Sequence, residues 1–151
     1  MRILRSIAPA LLALLAVPAA ADPIAALDEQ ENRRETGRQE IARILAADNV
    51  DASRLSAREV ATAIRAIPRG AAPDDFWNAY QAHVRAWERA AAAEERAQGL
   101  IGGKPAEMER AVAAFVAAQA EISATFEQVR QIAGRYGVEM PIPPAEAANT
   151  I

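Results

Sequence analysis

His83 is the only histidine of the chain, and it lies between Tyr80 and Trp87. An imidazole with an aromatic residue about one helical turn away on either side could serve as a general base, a metal or haem ligand, or a group titrating near neutral pH. Each role needs company. A zinc site draws several ligands from His, Cys and carboxylates, and one histidine without cysteine makes neither a His-rich nor a thiolate set. No C-x-x-C-H is present for covalent haem. A methionine such as Met108 could join His83 on a non-covalent haem, but only residue type speaks for it. Carboxylates are plentiful, yet the adjacent pair Glu94 and Glu95 points in different directions on a helix. No E-x-x-H, H-E-x-x-H, D-x-D-x-D-G, G-x-S-x-G or phosphate loop occurs. The expectation is no enzyme activity, no metal and no cofactor.

The stretch that positions His83 runs from Asp74 to Gln98 and contains both tryptophans. At roughly 100° per residue, Phe76, Tyr80, Val84, Trp87 and Ala91 share one helical face. His83 falls on the edge of that face, and Trp77 on its flank, where partial exposure is expected. An aromatic stripe at this spacing ordinarily builds a core. It can also wall a ligand pocket, which needs aromatic surface and a few polar groups. The candidate ligand-binding residues are therefore His83, Tyr80 and Trp87, with Gln119 from a later helix. Gln119 and Ser123 interrupt an apolar face, and a buried glutamine requires partners.

The remaining elements also read as helices. Asp22 can cap a helix with Pro23 in its first turn. Residues 28–40 carry no large apolar side chain and alternate in charge, with pairs such as Glu31–Arg34 and Glu35–Arg38. This segment is either a solvated helix docked at its two ends or an exposed arm that meets a partner. Ile41, Ile44 and Leu45 restore the apolar pattern, and Asp48-Asn49 ends it. Ser56-Ala-Arg-Glu59 is a capping box before Val60, Ile64 and Ile67, with Pro68 and Gly70 as stops. Gly99 is placed to end the central helix in the left-handed conformation. The last helix starts near Pro105 and runs to about Ala133. Met108, Val112, Phe115, Ile122, Phe126 and Val129 share one of its faces, with Ala111, Ala118 and Ala133 nearby to allow close approach. Val138 to Pro144 is extended because of its prolines.

No β-alternation and no internal repeat is found. The fold class expected is all-α: an antiparallel helical bundle of three long helices and one short helix, with an extended Pro-rich C-terminal tail. The bundle spans 22–137 and the tail 138–151.

Arg2 and Arg5 precede an apolar run, Ile7 to Val17, of signal-peptide length, followed by Pro18 and Ala19-Ala20-Ala21. This predicts a cleavable signal over 1–21, cut between Ala21 and Asp22, and a periplasmic or secreted product with no transmembrane segment in the mature chain. Losing two arginines from 17 basic residues leaves 15 against 20 acidic, a net charge of −5. A nucleic-acid binder would usually carry a basic stripe, so that class is not expected. With no cysteine, the core alone must hold the fold. The function expected is a non-enzymatic interaction or structural role, with an unknown protein partner or self-association. The alternative is a small-ligand binding protein using the aromatic face of 74–98.

Overall fold

The computed structural model describes residues 23–100 and 103–140. The predicted signal segment and residues 141–151 of the tail lie outside the described residues. Four helices are found: α1 (Pro23–Asp48), α2 (Ala57–Arg65), α3 (Asp74–Gly99) and α4 (Pro105–Arg135). No strand occurs among the described residues. The architecture is the expected antiparallel bundle of three long helices and one short one.

Local chemistry explains the boundaries. The Ser56 hydroxyl accepts the Glu59 N–H at 3.3 Å, and the Glu59 carboxylate accepts the Ser56 N–H at 2.8 Å. This reciprocal cap satisfies donors that the first turn of α2 would otherwise leave open. Glu94 of α3 accepts the Ala57 N–H at 3.1 Å, so the start of α2 is also tied to its neighbour. Gly70 turns the chain toward α3 with φ +58°, a conformation that only glycine adopts cheaply. Asp74 and Asp75 sit in the first turn of α3, where the helix dipole favours them. Gly99 is different from expectation. It remains within α3, and the helix closes on Leu100 at φ −99°; the left-handed glycines among the described residues are Gly70 and Gly137.

Cross-helix contacts fix the direction of each element. Arg89 binds Glu121 at 2.8 Å, His83 meets Thr125 at 3.1 Å, and Asp75 accepts the Tyr136 hydroxyl at 2.9 Å. Falling numbers on α3 thus meet rising numbers on α4. Arg65–Glu88 at 2.9 Å and the Arg58–Glu95 pair do the same for α2 against α3. On α1, Gly37 lies against Pro73, while Asp48 accepts from Tyr80.

Two cores result. The larger gathers Ile41, Ile44 and Leu45 of α1, Val60 and Ile64 of α2, Phe76, Tyr80 and Val84 of α3, and Val129 and Ile132 of α4. The smaller is mostly alanine: Ala57, Ala86, Ala90, Ala91 and Ala118, with Ile122. That alanine seam bears out the close approach expected at Ala111, Ala118 and Ala133 and the burial of Ile122 and Val129, and it departs from the expected face of α4 at Val112 and Phe126. Its buried residues are Ala111, Ala118, Ile122, Val129, Ile132 and Ala133, whereas Val112 and Val116 are 49% and 61% exposed. Small residues on both helices let the backbones approach, so the methyl face wins the interface over the valines.

The N-terminal half of α1 leaves the bundle. Every residue from Ala25 to Thr36 is exposed, and burial begins at Gly37 and Ile41. Leu27 is 65% exposed, so docking at both ends does not hold: this helix packs through its C-terminal half only. The charged pairs run along the exposed part, with Glu35–Arg38 at 2.7 Å as expected and Glu29–Arg33 at 2.8 Å. Beyond α4, Val138 and Met140 pack against the larger core. No helix among the described residues is long and apolar enough to cross a membrane.

Candidate functional site

His83 is not at the edge of the core but inside it, 3% exposed. A side chain meets each ring nitrogen, and the Ile122 backbone carbonyl is a further acceptor for the ring. Trp87, one turn further along α3, donates its indole Nε1–H to His83 Nε2 at 3.2 Å. An indole has only a hydrogen to offer, so Nε2 must be the acceptor and Nδ1 carries the ring proton. Nδ1–H then donates to Thr125 Oγ1 at 3.1 Å, and Thr125 passes its own hydrogen to the Glu121 carbonyl at 2.8 Å. Phe126 flanks the imidazole at a centroid distance of 5.4 Å. Burial pushes the imidazole down to about 4, and a hydrogen bond to the Ile122 backbone opposes this less strongly. Protonation would set N–H against N–H at Trp87. His83 is held neutral, with no nitrogen left for a substrate proton.

Tyr80 is fully buried and stacks between Phe76 and Trp77, at 6.2 and 5.6 Å between centroids. Trp77 is half-buried, as its flank position predicted. The Tyr80 hydroxyl faces two acceptors at 3.2 Å, Asp48 Oδ1 and the Ile64 carbonyl, and its single hydrogen serves both. Burial and the neighbouring Asp48 carboxylate push the phenol upward. Asp48 is the more consequential partner. Burial raises its carboxyl to about 6, and the Tyr80 hydrogen bond only partly offsets that.

Between these groups lies a half-open cavity of about 290 Å³. The end of α1 contributes Leu45 and Asp48, α2 contributes Val60 and Ile64, and α3 contributes His83 and Trp87. Asn49, Val50 and Ala52 of the α1–α2 connection, Ile122, Ser123 and Phe126 of α4, and Met140 also line it. The walls are apolar and aromatic, with few polar groups, the composition of a small-molecule site at the lower end of the usual size range.

Of the four residues singled out from sequence, His83 and Trp87 line this cavity together, and Tyr80 stands behind it through Asp48. Gln119 does not join them. It is exposed on α4, because the helix is rotated to bury Ala118. Ser123 lines the cavity while donating to the Gln119 carbonyl at 3.3 Å.

Two residues escaped the sequence reading. Thr125 follows Ala118 by seven positions, which keeps it on the α4 seam facing His83. Asp48 follows Ile41 and Leu45 at the four-three spacing of a packed face. A carboxylate at such a place signals either an uncharged acid or a site.

The described residues hold no cluster of three or more His, Cys, Asp or Glu able to bind a metal ion. The chain matches no protein-family model, no curated protein and no solved structure.

Proposed function

We propose that the protein is an exported, non-enzymatic interaction protein, and that the N-terminal half of α1 is the part that meets a protein partner. The observation that carries this reading is the cleft beside that arm. An open concavity of about 1200 Å³ separates the arm from the end of the bundle, with Leu27, Glu31, Arg34 and Arg38 on one side and Asp75 and Tyr136 on the other. An isolated helix of this length gains little from its own hydrogen bonds and i,i+4 pairs. A helical segment of a partner laid into the cleft would cover Leu27 and meet charges of both signs. A second copy of the chain carries such a segment in its own arm. The export half of the proposal rests on the Arg2–Ala21 signal pattern, and the non-enzymatic half on the occupied nitrogens of His83.

The test uses the absence of cysteine, which makes an introduced thiol unique. Leu27→Cys, carrying a photo-crosslinker and exported by the native signal, is expected to capture a protein through the arm. Native mass spectrometry then separates a doubled mass from a different partner. Cleavage after Ala21 is read in the same spectrum. If removal of residues 22–36 leaves the assembly state unchanged and residue 27 crosslinks to nothing, the interaction reading fails.

A second reading, small-ligand binding, is favoured by the cavity at Trp87. In it, His83 serves as a fixed wall, with its polarity already satisfied.

A further inference from the structure

We propose that the cavity between Asp48 and Trp87 binds a small lipophilic ammonium ion, with Asp48 as its counter-ion. The proposal deepens the small-ligand reading and is independent of the α1 arm.

Among the described residues that line the cavity, Asp48 alone carries a formal charge at neutral pH. Among the described residues, no Arg, Lys or His stands within ion-pair distance of it, although neighbouring acids are paired: Glu40 with Arg43 at 2.8 Å, and Asp51 with Arg54 at 3.0 Å. Its Oδ1 receives a hydrogen that Tyr80 shares with the Ile64 carbonyl. Among the described residues, the only side-chain hydrogen bond to the Asp48 carboxylate is that one, and the residue lines the cavity. The result is a carboxylate among Leu45, Val60, Ile122 and Phe126 with half a hydrogen bond and no cation.

A charge in apolar surroundings is stabilised most by an opposite charge that brings its own hydrogen bonds. A hydrated alkali or alkaline-earth ion needs many oxygen ligands, and the cavity supplies few. An organic ammonium needs one acceptor for its N–H, apolar surface for its carbon body, and gains further from aromatic faces such as those of Trp87 and Phe126. An anion would be repelled by Asp48, and a neutral compound would leave the carboxylate as it is. Size narrows the class. At roughly 30 Å³ per water-sized volume, the cavity accommodates on the order of ten non-hydrogen atoms.

The competing polar group is already occupied. His83 presents a ring whose nitrogens are committed to Trp87 and Thr125, so it neither donates to the ligand nor adds positive charge against it.

The experiment compares phenethylammonium with 2-phenylethanol, which share a carbon skeleton and differ in charge. Trp77→Phe leaves Trp87 as the single tryptophan, and its emission reports on the cavity in the otherwise intact mature chain. The amine is expected to saturate at about tenfold lower concentration than the alcohol. Asp48→Asn is expected to bring the two to equal affinity. The His83 ring resonances, unique in the chain, locate binding without relying on the Asn variant, and they are expected to shift with the amine. Equal affinity for the two compounds in the unsubstituted chain overturns the cation class while leaving a ligand pocket standing. Saturation by neither overturns the pocket as well. A fluorescence change without movement of the His83 resonances places binding elsewhere and overturns the assignment.

Discussion

Trp87 Nε1 and His83 Nε2 are 3.2 Å apart on consecutive turns of α3, and their rings meet edge to face at 84°. That contact fixes the tautomer of the only histidine and closes off the nitrogen that a base would use. It follows that Trp87→Phe keeps most of the ring volume but leaves a buried acceptor without its donor. The expected cost is about 1–3 kcal/mol in a denaturant melt. The His83 pKa should rise from about 4, because Nε2 becomes free to take a proton. A proton NMR titration of this one imidazole measures the rise directly. An unmoved pKa would mean that burial alone keeps the ring neutral.

Asp48 and His83 flank the same cavity and titrate with opposite effects on stability. The His83 pKa is 6.5 in an unfolded chain and about 4 when folded. As pH falls from 6.5 to 4, the unfolded chain takes a proton that the folded chain refuses, and stability is lost. For Asp48 the values are 3.8 and about 6. As pH rises from 3.8 to 6, the unfolded chain releases a proton that the folded chain keeps, and stability is again lost. The two slopes oppose one another across the shared window. Asp48→Asn removes one of them. This variant is expected to be at least as stable as the parent at neutral pH and to lose stability more steeply on acidification. Thermal melts of both proteins from pH 7 down to about 4 check the sign.

The arm adds length without adding to either core. Removing residues 22–36 takes away only exposed described side chains and leaves Gly37 against Pro73. The shortened protein is expected to keep a single cooperative transition by circular dichroism, with stability changed by less than about 1 kcal/mol. Broadening of the transition would show that the arm supports the fold.

The alanine seam makes the opposite prediction for two neighbouring kinds of site. Ala90 is fully buried in the smaller core, and Ala90→Leu is expected to destabilise by about 1–3 kcal/mol through overpacking. Val116→Ala deletes a larger side chain but an exposed one, and should fall within about 0.5 kcal/mol of the parent. Chemical denaturation of the two variants side by side distinguishes a seam of alanines from a seam of valines.

The contrast between those sites also explains how far the sequence could be read. Helix ends carried local chemistry and were legible: the Ser56–Glu59 box, Pro68 with Gly70, and Pro105 stand where the elements begin and stop. The stripe Phe76–Tyr80–Val84 was legible because large side chains at helical spacing mark a core. The rotation of α4 was not, since it depends on what faces it. Ala86 and Ala90 on α3 meet Ala118, and a search for large apolar residues follows Val112 to the surface instead. Gln119 is likewise exposed, away from the cavity. The cross-helix partners were hidden for a related reason: Thr125 and Asp48 belong to other helices, and only the packed bundle shows that the first meets His83 and the second Tyr80.

The alanine seam also grades the strength of the molecule from end to end. Apolar burial stabilises in proportion to area, and methyl groups supply little of it. Near the Phe76 end, the helices are held by rings and branched chains; at Ala90, Ala91 and Ala93 of α3 and Ala111 and Ala118 of α4 the buried side chains are methyls. The α3–α4 hairpin should therefore part at its tip long before the body unfolds, as tongs open at the points while the pivot stays closed. Backbone amides near Ala111 would exchange with solvent through that partial opening, and those of Tyr80 and Val129 only through complete unfolding. The cavity lies between the two regimes, so traffic into it need not wait for the protein to come apart.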